Sequence, residues 1–151
     1  MPPVVYDDNT IQELEADFIA IAYRLFKGRT PSSSHLVNDR RLRAWCGCSP
    51  TVIAKVWNLL DRFGGLEQEA TRDRLLWALH LLTSYNNTET SAAFCKADEK
   101  TFRRWAWYFI EEISYLENFV VCTSALFGFV PMVLSLNPLS FCRFSGKIDA
   151  R

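Results

Sequence analysis

Apolar residues recur every three or four positions through most of the first 116 residues, and the breaks fall on capping and turn residues. Ile11, Leu14, Phe18, Ile21, Ala22 and Leu25 form the first stripe, which predicts a helix over 9–27, capped by Asn9 or Thr10 and stopped by Gly28. Residues 29–34 are a polar linker with Pro31 and three serines. A short basic helix is expected over 39–46. Ser49-Pro50 opens the next helix, with serine as N-cap and proline at the first helical position. Val52, Val56, Leu59, Leu60 and Phe63 supply its apolar face, and Gly64-Gly65 ends it. Residues 72–85 are strongly apolar, and His80 among them reads as a packing or surface histidine. No alternating strand pattern occurs before residue 118, and no repeat. The fold expected is all-α, a small helical bundle containing a helix-turn-helix, with an apolar C-terminal tail. It divides into an N-terminal helix and linker (1–33), a helical domain (34–118) and the tail (119–151).

The helix-turn-helix lies in the segment 88–105, TETSAAFCKADEKTFRRW, directly after Asn86-Asn87 breaks the preceding helix. Ala92 stands where the first short helix presses on the second, so a small side chain is needed there. Cys95, Phe102 and Trp105 close the core between the two. Lys96-Ala97-Asp98 makes the turn, and Asp98 is a good N-cap. Glycine commonly holds the position of Lys96, because such a turn takes a left-handed residue. Phe102, Trp105, Ala106, Phe109, Ile110, Ile113 and Leu116 then mark one buried stripe. The opposite face begins with Lys100, Thr101, Arg103 and Arg104. In this motif those positions meet the major groove, where Arg and Lys bind phosphates or guanine edges. Thr90 and Ser91 are the expected phosphate contacts from the first helix. Trp107 and Tyr108 leave the stripe, to pack against the N-terminal helix or stack on a partner.

Charge changes this picture only in part. Lys+Arg and Asp+Glu balance at 17 each in 151 residues, and the pI is about 6.7, whereas a dedicated nucleic-acid domain is usually basic. The charges are segregated, however. Arg40, Arg41 and Arg43 form one basic cluster, a possible second patch, and Lys96, Lys100, Arg103 and Arg104 form another. At 49% hydrophobic and 14% aromatic the chain can bury a core. Five cysteines and no signal peptide point to reduced thiols in a cytosolic or nuclear compartment. Cys46-x-Cys48 with His35 nearby lacks the spacing and the second pair of a structural zinc site, so no metal is expected. No catalytic constellation or cofactor loop is visible.

Taken in order, Ser49-Pro50, Leu76-Trp77-Ala78-Leu79, Asp98-Glu99-Lys100-Thr101-Phe102-Arg103 and Trp105 resemble the N-terminal region of Harbinger-like DDE transposases, over roughly residues 40–121. The resemblance implies a helix-turn-helix that binds DNA, transposon-end sequence in particular, in the nucleus. It also implies a catalytic half in which three carboxylates hold divalent metal ions. A motif like Asp-Gly-Thr-Asp, the first of these, is absent here, and Asp149 stands alone. The expectation is therefore a truncated, transposase-derived protein that is not an enzyme and takes no cofactor.

Residues 118–142 carry no charge, and a run of this length is a membrane-span candidate. Pro131 and Gly128 interrupt it. Arg143-Phe144-Ser145-Gly146-Lys147-Ile148-Asp149 looks like the family's motif resuming after an interruption, which reads 122–142 as translated intron. A membrane segment and a buried core helix are the other two readings. For the whole chain the rivals to DNA binding are a helical protein-interaction module, such as a homodimer, and a tail-anchored membrane protein.

Overall fold

A computed structural model describes residues 7–126, with side chains to Leu116. The expectations for the tail from residue 127 onward, membrane segment and intron included, lie outside the described residues. No helix among the described residues is long and apolar enough to cross a membrane.

Six α-helices make the fold, with no strand among the described residues: α1 (Asp8–Phe26), α2 (His35–Cys46), α3 (Pro50–Leu59), α4 (Arg72–Ser84), α5 (Thr88–Phe94) and α6 (Glu99–Leu126). Local chemistry sets most of the boundaries. Asp7, rather than Asn9 or Thr10, caps α1, its carboxylate accepting from Asn9 N at 3.3 Å and Thr10 Oγ1 at 2.9 Å. Gly28 stops α1 at φ +62 and donates its N–H back to the Tyr23 carbonyl at 2.8 Å. Ser49 Oγ accepts from Val52 N at 3.4 Å at the start of α3, with Pro50 in the first turn. α2 begins at His35, four residues before its expected start.

Between α3 and Gly65 the chain continues as a π-helical segment, Leu60–Gly64. The face of α3 also differs from expectation. Ile53, Ala54, Leu59 and Leu60 are buried, whereas Val52 and Phe63 are about half exposed. The π-segment widens the last turn and rotates Phe63 outward.

The apolar helix α4 is the centre of the bundle, packed against α1, α2, α5 and α6. Its Leu75, Leu76 and Ala78 are fully buried. α1 belongs to the same core: Phe18, Ala22 and Tyr23 have no exposure, Phe18 meets Trp57 of α3, Tyr23 meets Trp45 of α2, and the helix also packs on α4. No core boundary therefore falls at residue 33. Ion pairs of Arg24 with Asp73 and of Arg72 with Asp17 tie α1 to α4 from outside.

His80 is a packing histidine. Its Nδ1 lies 2.9 Å from the Trp45 carbonyl, so that nitrogen carries the proton and donates. The ring stacks on Phe94 at 4.8 Å and meets Phe26 at 5.2 Å. Three helices, α1, α2 and α5, converge on this one side chain of α4.

Candidate nucleic-acid interface

The α5–turn–α6 unit is built from two caps and one left-handed residue. Asn87 Oδ1 accepts from Thr90 N at 2.8 Å and starts α5. At the other end, Lys96 N donates to the Ala93 carbonyl and Ala97 N to the Ala92 carbonyl. These are the paired bonds of a Schellman C-cap, with Lys96 at φ +57 in the place glycine favours. Asp98 then starts α6, accepting from Thr101 N at 3.1 Å and from the Thr101 hydroxyl at 3.2 Å. Ala92, Cys95, Phe102, Trp105, Ala106 and Phe109 are all buried, with Phe102 against Trp77 of α4 and Phe109 against Trp57 of α3. A larger side chain at Ala92 would hold the two helices apart.

Away from that core, Lys100, Thr101, Arg103 and Arg104 are exposed on the first turns of α6. Arg103 forms an ion pair with Glu99 one turn earlier. Arg104 reaches Glu67, in the loop before α4, at 3.6 Å, and its guanidinium lies 5.1 Å from the Trp105 ring centre. Both pairs are solvent-exposed, and such pairs contribute less than about 1 kcal/mol. A phosphate can therefore displace either carboxylate at small cost. Thr101 spends its hydroxyl on capping, so it positions the helix start.

The structure adds one cation that sequence reasoning missed. Arg74 of α4 stacks on Trp105 at 3.9 Å from the ring centre, so the indole is shared by Arg74 and Arg104. Only the tertiary crossing of α4 and α6 brings them together, and periodicity carries no signal of it. Glu67 is held in the same place by its backbone, whose N–H donates to the Tyr108 hydroxyl at 3.0 Å. Tyr108 therefore packs within its own end of the bundle, edge-on to Trp105 at 5.4 Å and Phe109 at 5.3 Å, and not on the N-terminal helix as expected.

Ser91 does not fit the role expected of it. It has no exposure, and its hydroxyl lies 3.5 Å from that of Ser84, where α5 crosses α4. A small polar residue is needed at that crossing, and it is out of reach of any phosphate. Thr90 is exposed on the neighbouring face, with its N–H taken by the Asn87 cap.

Arg40, Arg41 and Arg43 are exposed on α2, which packs against α4 and α1. Two of them have local duties. Arg41 donates to the Tyr23 hydroxyl at 2.9 Å, which itself donates to Asn38 Oδ1 at 2.7 Å. Arg43 pairs with Asp39 at 2.7 Å. The two basic clusters of the sequence thus lie on separate elements.

Cys46 and Cys95 are buried and Cys48 half-buried. Burial pushes all three thiols up, to about 11 for Cys48 and about 12 for Cys95; the Arg43 charge partly offsets the rise at Cys48. Among the described residues no group of three or more His, Cys, Asp or Glu side chains is placed to hold a metal ion. His35 is exposed, on the rim of a groove of about 590 Å³ between α1 and the linker.

Compared with known proteins, the chain matches no family model, no curated protein and no solved structure.

Proposed function

We propose that the protein is a non-catalytic DNA-binding domain of transposase-derived origin, acting in the nucleus through the first turns of α6. The observation that carries this reading is the α5–turn–α6 unit. A short helix, a left-handed turn at Lys96 and a capped second helix leave Lys100, Arg103 and Arg104 on the side of α6 turned away from the core. That is the geometry by which a second helix enters a major groove. The buried Leu75, Leu76 and Ala78 of α4 brace the unit from behind, as a rigid support for such a helix requires. The order of motifs shared with Harbinger-like transposases adds to the reading and makes transposon-end sequence the target to try first.

Salt tests it. Binding of duplex DNA through two or three cations should weaken steeply as salt rises, because each neutralised phosphate releases condensed counterions.

A second reading, a helical protein-interaction module, draws on a different surface. Phe63 at 48% and Tyr115 at 67% exposure flank a groove of about 290 Å³ with Gly64, Glu112 and Leu116. An apolar interface there would keep its affinity in salt, so the same titration separates the two.

A further inference from the structure

The end of α1 lies beside the turn that joins α5 to α6. Phe26, its last residue, stacks on Phe94 at the end of α5, 5.6 Å between ring centres, and meets His80 of α4. The Lys96 ammonium lies 4.0 Å from the position of a Cβ built on Gly28. Lys27 and Arg29 flank that glycine, so the fold gathers three cations at one place: Lys27, Arg29 and Lys96. All three are exposed.

The cluster is unneutralised. Among the described residues none of these three side chains has a carboxylate partner, whereas Arg103 and Arg104 each pair with a glutamate. The acids next to Lys96 are engaged on α6 itself, Asp98 with Thr101 and Glu99 with Arg103. The fold gains little from this arrangement. Like charges gathered together repel, and Lys27 alone is placed to oppose the partial negative charge at the end of α1. Lys96 is held at φ +57, where glycine would sit without strain. Strained backbone that carries an unpaired charge into a cluster of like charges points to an anionic partner.

Position says which anion. Lys96 stands two residues before Asp98, the cap of α6. A helix that enters a groove by its first turns carries the residues just before it to the groove edge, where the phosphates run. The contact of Lys96 with Gly28 brings the end of α1 to that edge.

Resting on the DNA-binding reading above, we propose that Lys27, Arg29 and Lys96 form a phosphate-contact surface beside the first turns of α6, which grips the backbone of duplex DNA. This surface reads no base. It adds affinity that depends on salt and not on sequence, and it fixes how α6 lies in the groove. The N-terminal helix thus serves the interface as well as the core.

The test uses the full chain and a fluorescein-labelled mixed-sequence duplex of about 20 base pairs, read by anisotropy over a range of salt. The Lys27→Gln, Arg29→Gln double variant should bind about tenfold more weakly at low salt, with a slope of log affinity against log salt shallower by about two. Lys96→Gly should bind about threefold more weakly, with a slope shallower by about one, while melting no lower than wild type. Weaker binding by a chain of equal or greater stability cannot come from unfolding. The charge-keeping Lys27→Arg, Arg29→Lys variant should bind as wild type. An unchanged slope in either neutral variant would overturn the proposal, because the cations would then serve only the end of α1. A loss of affinity in the charge-keeping variant equal to that of the neutral one would overturn it too, since shape and not charge would then matter. If the Arg103→Ala, Arg104→Ala variant changes the slope while these do not, the DNA-binding reading stands without this surface. If wild type binds no duplex, both fall.

Discussion

The Ala97 amide donates to the Ala92 carbonyl at 2.9 Å, and this bond closes the turn between α5 and α6. It forces Lys96 into the left-handed region at φ +57, where a residue with a Cβ is strained by about 1 kcal/mol. The Lys96 ammonium lies toward Gly28 at the end of α1, where its charge recovers a few tenths of a kcal/mol against the helix dipole. The strain is the larger effect. Lys96→Gly is therefore expected to raise the melting temperature by about 3–5 °C. Thermal unfolding followed by circular dichroism checks this, and a lower melting temperature would show that Lys96 contributes more than its backbone costs.

Gly47 makes the opposite case. It ends α2 at φ +77, and a Cβ built there would sit 2.6 Å from Thr83 Oγ1. That hydroxyl cannot turn away freely, because it donates to the Leu79 carbonyl at 2.8 Å. Gly47→Ala adds left-handed strain to a clash, and about 2–3 kcal/mol of stability should be lost. Adding Thr83→Ala should return the clash part and leave about 1 kcal/mol of loss. Urea unfolding of the single and double variants reads both numbers.

Alkaline pH should unfold the protein through its thiols. Their pKa values in the fold lie above the ordinary 9.0 because burial disfavours the thiolate. The folded state thus holds protons that the unfolded state releases. This stabilisation is fully present below pH 9 and is lost as pH rises toward 11 and 12, where Cys48 and Cys95 ionise in the fold. Each thiol contributes a slope of up to about 1.4 kcal/mol per pH unit in that window. Cys46→Ser would remove one such slope. At pH 8, iodoacetamide should spare Cys46 and Cys95 until the chain is unfolded. Peptide mapping of the alkylated protein measures this, and rapid native labelling of either would contradict it.

Features that depend on near neighbours were readable from the chain. Ser49-Pro50 and Asp98 start helices because a side chain reaches the amide three residues on, and Gly28 ends one for an equally local reason. The stripe from Phe102 to Leu116 was visible because a single helix face is periodic. What could not be read was tertiary. Phe63 lies outward in the π-segment, and the packing of α3 on α1 buries Ile53 and Ala54 in place of Val52. Ser91 has the chemistry of a phosphate contact and the size of a helix crossing, and only the crossing shows which applies. Arg74 shares Trp105 with Arg104 across 30 positions of chain.

The assignment of the α6 face rests on Arg103 and Arg104, and the double substitution Arg103→Ala, Arg104→Ala tests it most directly. Both side chains are exposed, so helicity and melting temperature should stay near wild type. Glu99 and Glu67 remain on the face without their partners and add repulsion to the loss of attraction. The measurement is duplex DNA affinity against salt concentration. Affinity should fall at least about tenfold at low salt, and the slope should be shallower by about two, one unit for each lost phosphate contact. A folded double variant that binds DNA with wild-type affinity and wild-type slope would contradict that assignment.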